Sequence, residues 1–526
     1  MADLEALGAS LAAGYDTDDD SVILGRPLTP DLADTLNDVY VQVPLRMLNR
    51  HGLIAGATGT GKTKSLQVFA EQLSRAGVPV FLADLKGDLS GLAVESPGAD
   101  FIDARMSGMD LPWQPESFPV EFLSLTGEVG TQLRVAVSSF GPLLLSKVMD
   151  CTTTQESVLQ VIFRYADEAG LALLDLADLT ALLRHLASDE GEEVQEQYGG
   201  MSSQTLQVLL RKVMELEGQG AEVFFGEPEF DVADLLRTRD GKGVISVMNL
   251  TDVQTQPKVF STFMMWLLAE IYEESPEVGD QDRPRLVFFF DEAHLLFEGA
   301  SKALLEAVEL TVRMIRSKGV GVFFITQQPR DVPEGVLAQL GNRVQHALRA
   351  FTPQDQKALK ATAGTFPVSD HYDIREALTG LGTGEALVTV LGTDGAPTPS
   401  APTRIVAPVS RMDPADEATV RSLIEGSELR PRYGTEVDRE SAYELLAAKA
   451  EASAAAAAQQ EQAEAEAEAV ATRQEEAERE ATRGRKAGGG RTRETATERA
   501  IKSAASAVGR EVGRSLIRGL LGNLRR

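Results

Sequence analysis

The stretch Leu53-Ile54-Ala55-Gly56-Ala57-Thr58-Gly59-Thr60-Gly61-Lys62-Thr63-Lys64-Ser65-Leu66-Gln67-Val68 decides how the rest of the chain is read. Gly56 to Thr63 fit the phosphate-loop pattern G-x-x-x-x-G-K-[ST] without a mismatch. The apolar run Gly52 to Ala55 before it reads as a buried strand. Ser65 to Ala76 after it puts Leu66, Phe69, Ala70 and Leu73 on one helical face. Strand, glycine loop and helix in that order set the match apart from an ordinary glycine turn.

The residue types follow from the chemistry. Gly56, Gly59 and Gly61 open backbone angles closed to other residues and let the chain approach a phosphate. The backbone from Gly56, Ala57, Thr58, Gly59, Thr60 and Gly61 into Lys62, Thr63 and Lys64 then turns its N–H groups and a helix N-terminus toward the anion. Lys62 supplies a compact positive charge for the β- and γ-phosphates of ATP, and the Thr63 hydroxyl a ligand for Mg²⁺.

A second signal lies downstream. Leu286-Val287-Phe288-Phe289-Phe290 is an apolar run capped by Asp291-Glu292-Ala293-His294. It does not alternate, as expected of a strand buried on both faces. Its end places Asp291 for Mg²⁺ and Glu292 to orient or deprotonate an attacking water. His294 reads as a packing or capping residue. The next strand, Gly321 to Thr326, ends in Gln327-Gln328-Pro329, with Gln327 placed to sense a γ-phosphate. Between them a helix from about Lys302 to Ser317 carries Arg313 and Arg316. Either could act as an arginine finger in a neighbouring subunit; a solvated helix face is the competing reading. Asn342, Arg343 and Arg349 are weaker candidates. Val78 to Ala83 is another core strand, and Asp84 or Lys86 at its end is a further nucleotide-site candidate.

The 526 residues allow two or three structural units. Fifty-one basic against 79 acidic residues leave a net charge of −28, which argues against a surface that binds DNA everywhere but not against a local basic patch. The single cysteine, Cys151, excludes an intrachain disulfide framework. No apolar run approaches the ~18 residues of a membrane span, and the N-terminus lacks signal-peptide features, so a cytoplasmic protein is expected.

The organisation expected is a leader and short β-rich cap over 1–48, a first core segment over 49–110, a helical insertion over 111–240, a second core segment over 241–412, and a tail over 413–526. Pro397 to Pro408 reads as an extended exit from the domain. Residues 441–480 are rich in Ala and Glu and predict a long exposed helix or a disordered arm. Residues 481–526 carry twelve Lys or Arg, with Ile501, Ala505, Val508, Val512, Leu516 and Leu520 on one helical face. That stretch could meet anionic lipid, nucleic acid or the acidic arm of its own chain.

Together, the stretches Arg50 to Thr63, Asp84-Leu85-Lys86-Gly87-Asp88-Leu89-Ser90-Gly91-Leu92, Asp291 to His294 and Ile325 to Pro329 resemble the HerA/FtsK branch of P-loop ATPases. The resemblance runs from about Ser21 to Ser410 and includes the final basic helix. It implies an α/β, RecA-like P-loop NTPase sheet and Mg²⁺-dependent ATP hydrolysis. It also implies a hexameric homo-oligomer with sites between subunits, acting on double-stranded DNA. Lys62, Thr63, Asp291, Glu292 and Gln327 take the family's site roles. An ATP-regulated assembly protein that recruits a partner or membrane through its tail is the alternative from a different class.

Overall fold

The computed structural model describes residues 2–486 apart from Gly200, Thr255, Asp280 and 299–301. The chain to Ala447 forms one compact unit; a second begins at Ala448. The strands, in chain order, are β1 (Ser21–Pro27), β2 (Val41–Pro44), β3 (Gly52–Ala55), β4 (Val80–Asp84), β5 (Val120–Ser124), β6 (Thr131–Gln132), β7 (Thr238–Arg239), β8 (Lys242–Gly243), β9 (Ile245–Asn249), β10 (Leu286–Phe290), β11 (Val320–Thr326), β12 (Asn342–His346), β13 (Glu385–Thr389) and β14 (Ala401–Ile405). β7 and β8 pair only with each other. The other twelve form one sheet in the order β2-β1-β14-β13-β12-β3-β11-β10-β4-β9-β5-β6.

From β12 to β6 every neighbour is parallel; from β12 to β2 every neighbour is antiparallel. The run Leu286 to Phe290 shows why the parallel strands carry unbroken apolar sequences. Leu286, Phe288 and Phe290 join the core on one face with the helices Val137–Val148, Thr153–Glu168, Leu176–Ala187, Ser203–Glu217 and Pro257–Glu274. Val287 and Phe289 join the core on the other, with the helices Ala2–Tyr15 and Lys62–Arg75. Both faces are covered, so both sets of side chains must be apolar.

Several expectations change. The N-terminal strands are not a separate cap: β1 pairs with β14, and both belong to the main sheet. The stretch Pro397 to Pro408 is not an exit, because Ala401–Ile405 is inserted between β13 and β1. Its Pro402 still serves the ladder through its carbonyl, which accepts from Leu28 N–H just past the end of β1. The polar leader folds as the helix Ala2–Tyr15, with Leu7, Leu11 and Tyr15 buried at four-residue spacing. The stretch expected to be a helical insertion opens with β5 and β6. Glu121 interrupts the apolar pattern of β5, and Arg237 pairs with it at 3.1 Å. The tail does not leave the core at residue 413, since Tyr433, Ala442 and Leu446 are buried in it. The Ala/Glu-rich arm is helical, Ala442–Lys486, and exposed from Ala447 to Glu480. The basic amphipathic stretch beyond it, residues 487–526, lies outside the described residues.

Candidate active site

Four strands carry the sequence motifs, and the sheet puts them side by side. β3, β11, β10 and β4 are consecutive and parallel. Ala55 stands opposite Thr326, and Phe290 opposite both Phe324 and Ala83. The loops beginning at Gly56, Gln327, Asp291 and Leu85 therefore open at one carboxyl edge of the sheet, where open α/β sheets bind their ligands.

The phosphate loop is held from beneath. Gly56 N–H donates to Thr326 O at 3.3 Å, and Ala57 N–H to Ala347 O at 3.0 Å. Gly56 and Gly61 have φ of +153° and +114°. A Cβ on Gly56 would sit 2.5 Å from the Cβ of His346, so this position needs glycine for space as well as angle. Gly61 caps the helix Lys62–Arg75 without any side-chain cap, and no acidic residue lies in the first turn. The helix N-terminus thus presents unshielded N–H groups to an anion. Lys62 is buried, and its Nζ donates to Gly56 O at 2.8 Å and Ala57 O at 3.3 Å. Burial lowers its pKa, while Glu292 and Asp291 work in the other direction. Thr63 follows at the second helical position.

Asp291 is almost fully buried. Its Oδ1 accepts Glu292 N–H at 2.9 Å, and its Oδ2 has no hydrogen-bond partner. Burial pushes its carboxyl up to about 7, against the pull of Lys86. An unpartnered buried carboxylate oxygen fits a hard cation, which would stabilise the charged form that burial disfavours. Mg²⁺ at Asp291 therefore suits the residue present. Glu292 has a left-handed φ of +48°, a strained angle for a non-glycine residue. Its Oε1 is in direct contact with Lys86 Nζ, and its Oε2 lies 3.3 Å from His294 Nδ1.

Asp84 and Lys86 separate in role. The Asp84 carboxylate accepts N–H groups of Lys86, Gly87 and Leu89 at 3.1, 2.7 and 3.0 Å, and so shapes the loop. Lys86 alone faces the acids. Gln327 is exposed on the rim of a cleft of about 400 Å³ lined by His294, Phe297, Glu298, Gln327, Gln328 and Asp331. The Lys64 side chain is drawn elsewhere, to the carbonyl of Met412. Arg313 and Arg316 are exposed just before β11 begins, at the edge of the sheet opposite the phosphate loop. Seven residues of β11 separate the two edges, roughly 20 Å. Neither arginine joins this site within the chain. Arg343 donates to Leu340 O and Leu337 O, and Asn342 to Met47 O and His51 O, so both serve the scaffold. Arg349 is exposed beyond the end of β12.

Two residues that the sequence did not single out support the loop. His346 is fully buried below Gly56 and Gly61. Its Nδ1 is 2.9 Å from Glu385 O and so must donate; its Nε2, 2.9 Å from Ser65 Oγ, accepts from the hydroxyl. Burial lowers its pKa to about 4, and it stays neutral. Arg105 donates to Ile405 O at 2.7 Å and to Gly384 O, while Gly384 N–H donates to Thr60 O at 2.8 Å. Neither residue lies in a local motif, and only the fold brings them to the loop.

The chain matches the family model described as helicase HerA-like C-terminal over residues 30–526. It is 22% identical over 361 residues to a DNA double-strand break repair helicase HerA from Sulfurisphaera tokodaii, covering 67% of this chain. A protein of the same name from Sulfolobus acidocaldarius is 21% identical over 359 residues, again covering 67%. The chain spans 64% of the length of these relatives. A solved structure of the plasmid coupling protein TrwB with ADP and Mg²⁺ is similar with a TM-score of 0.49 at 14% identity, covering 76% of this chain and 98% of that one.

Proposed function

Since the chain belongs to the helicase HerA-like C-terminal family, we propose that it is a Mg²⁺-dependent ATPase that drives movement on double-stranded DNA as a hexameric ring in the cytoplasm. The observation that carries this reading is the meeting of the Gly56–Thr63 loop, Gln327 and the Asp291–Glu292 pair at one edge of four adjacent strands. The loop N–H groups and Lys62 bind the β- and γ-phosphates. Mg²⁺ at Thr63 and Asp291 would offset charge on the phosphate oxygens. Glu292 orients the attacking water and accepts its proton. Gln327 reads the γ-phosphate. Arg316 or Arg313 completes the site from a neighbouring subunit, which fits their place on the opposite edge of the sheet. Among the described residues no helix is long and apolar enough to cross a membrane.

The test is steady-state ATP hydrolysis by wild type and Glu292→Gln, with and without double-stranded DNA at low salt, where phosphate contacts are strongest. The expected result is a wild-type rate that rises with DNA and a variant rate lower by roughly 10²–10³-fold, the scale of losing one preorganised transition-state group. A wild-type rate indifferent to DNA, with no DNA binding, would overturn the DNA reading.

One observation favours a second reading, an ATP-regulated assembly protein. The segment leading to the C-terminal arm is fixed on the phosphate-loop helix, through Lys64 to Met412 O, Gln67 to Ser410 and Arg411 O, and Glu71 to Val409 and Ser410. Nucleotide-dependent changes of assembly size without any DNA effect would favour it.

A further inference from the structure

We propose that Lys86 is a positioning residue of the ATPase that holds the Glu292 carboxylate away from the attacking water until the 84–92 loop moves. The inference rests on the reading of Glu292 given above. One oxygen of that carboxylate is held by an ion pair, and the other is buried without a hydrogen-bond partner. Oε1 contacts Lys86 Nζ, and Oε2 faces His294 Nδ1 at 3.3 Å. An oxygen paired with a cation does not present its lone pairs to a water, and the pair fixes where the whole carboxylate sits. Glu292 is nearly buried, whereas the Lys86 side chain is 45% exposed, so the lysine is the partner with room to leave.

The loop that carries Lys86 is rigid at one end and tethered at the other. Asp84 grips the N–H groups of Lys86, Gly87 and Leu89 at its start. At its far end, Ser90 Oγ accepts Ala415 N–H at 3.0 Å. A Cβ on Gly91 would fall 2.2 Å from Arg411 O and 2.4 Å from Asp413 O, so backbone lies directly against backbone there. Arg411 N–H also donates to Val94 O at 2.8 Å. Met412, within the same segment, accepts from Lys64 on the phosphate-loop helix. Residues 411–415 therefore touch both the loop that restrains the catalytic carboxylate and the helix that binds phosphate. A displacement of this segment would pull on the loop at Ser90 and Gly91, and the half-exposed Lys86 side chain can swing from Glu292 while its backbone stays on Asp84. Lys86 acts through Glu292 and not as a phosphate ligand.

The test compares full-length wild type, Lys86→Met, Lys86→Gln and Lys86→Arg without DNA. Two quantities are read: basal kcat and KM for Mg·ATP, and the Kd of a fluorescent ATP analogue without turnover. Lys86→Met and Lys86→Gln are expected to raise basal kcat roughly two- to fivefold, the range set by breaking a half-exposed ion pair. KM and the analogue Kd stay within about twofold, since binding is not what the pair controls. Lys86→Arg, which keeps the pair, retains the wild-type rate. A basal kcat that is unchanged or lower in the two neutral variants overturns the proposal. So does weaker analogue binding, which would make Lys86 a phosphate ligand, or an equal rise in Lys86→Arg. Failure of DNA to stimulate the wild type would sink the DNA reading and leave this comparison intact.

Discussion

Ser65 Oγ and His346 Nε2 stand 2.9 Å apart beneath the phosphate loop, the hydroxyl donating to a fully buried neutral imidazole. The contact ties the first turn of the helix Lys62–Arg75 to β12, four strands from β4 across the sheet. It also makes the loop's support sensitive to acid.

Burial brings the His346 pKa down from 6.5 to about 4. Below pH 6.5 the unfolded imidazole takes a proton that the folded one refuses, so this contribution to stability is lost as pH falls from 6.5 to 4. His51, also lowered to about 4 by burial, has the same sign. Asp291 and Glu270, both raised to about 7, have the opposite sign and weaken stability as pH rises toward 7. The difference between wild type and His346→Gln isolates the imidazole. At pH 5 wild type should have lost about 2 kcal/mol of its advantage at pH 7.5. Denaturant unfolding at the two values checks this, and an advantage independent of pH would contradict a neutral His346.

Gly56→Ala and Gly59→Ala separate space from angle. The first forces a Cβ to 2.5 Å from His346; the second, at φ +76°, meets nothing within 4 Å. Gly59→Ala should fold with a penalty of about 1–2 kcal/mol from the left-handed angle alone. Gly56→Ala should lose nucleotide binding and unfold at clearly lower denaturant. Equal behaviour of the two in melting and nucleotide titration would contradict the packing described.

Glu71 is buried and accepts Val409 N–H and Ser410 N–H, each at 2.9 Å, as well as the Ser410 hydroxyl. Ser410→Ala removes one neutral donor to Glu71 and one acceptor of Gln67, which keeps Arg411 O, and should cost about 1 kcal/mol. Glu71→Ala strands several donors and should cost about 2–4 kcal/mol. Chemical denaturation of the two variants orders them, and the reverse order would place the segment elsewhere.

Leu11 is buried on the inner side of the N-terminal helix, with Leu7 and Tyr15. Leu11→Ala should lower stability by about 2–4 kcal/mol, as a core truncation does. A loss under about 0.5 kcal/mol, the level of a surface change, would show the helix to be dispensable.

If Arg316 acts between subunits, Arg316→Ala and Lys62→Ala should each abolish turnover, while a mixture of the two regains part of it. The mixture forms some sites with an intact lysine on one side and an intact arginine on the other. Activity that never exceeds the sum of the separate variants would move the role to Arg313 or dismiss it.

The local motifs needed no fold to be read. Gly56 to Thr63, the Asp291–Glu292 strand end and Gln327 each announce themselves because phosphate and metal chemistry restricts residue type at fixed short spacing. The core strands were legible because burial on two faces demands unbroken apolar runs. What depends on contacts between distant residues was not legible. β5 escaped because Glu121 is neutralised by Arg237, 116 residues away. β14 escaped because its prolines read as an exit, whereas it is held by β1 and β13 from opposite ends of the chain. His346, Arg105 and the grip of Lys86 on Glu292 escaped for the same reason: each is made by strand order. The sequence by itself determined which motifs the chain carries, because those are written in neighbouring residues. The tertiary structure alone decided which side chains share a hydrogen bond or an ion pair, because the β3-β11-β10-β4 order places residues hundreds apart within a few ångströms.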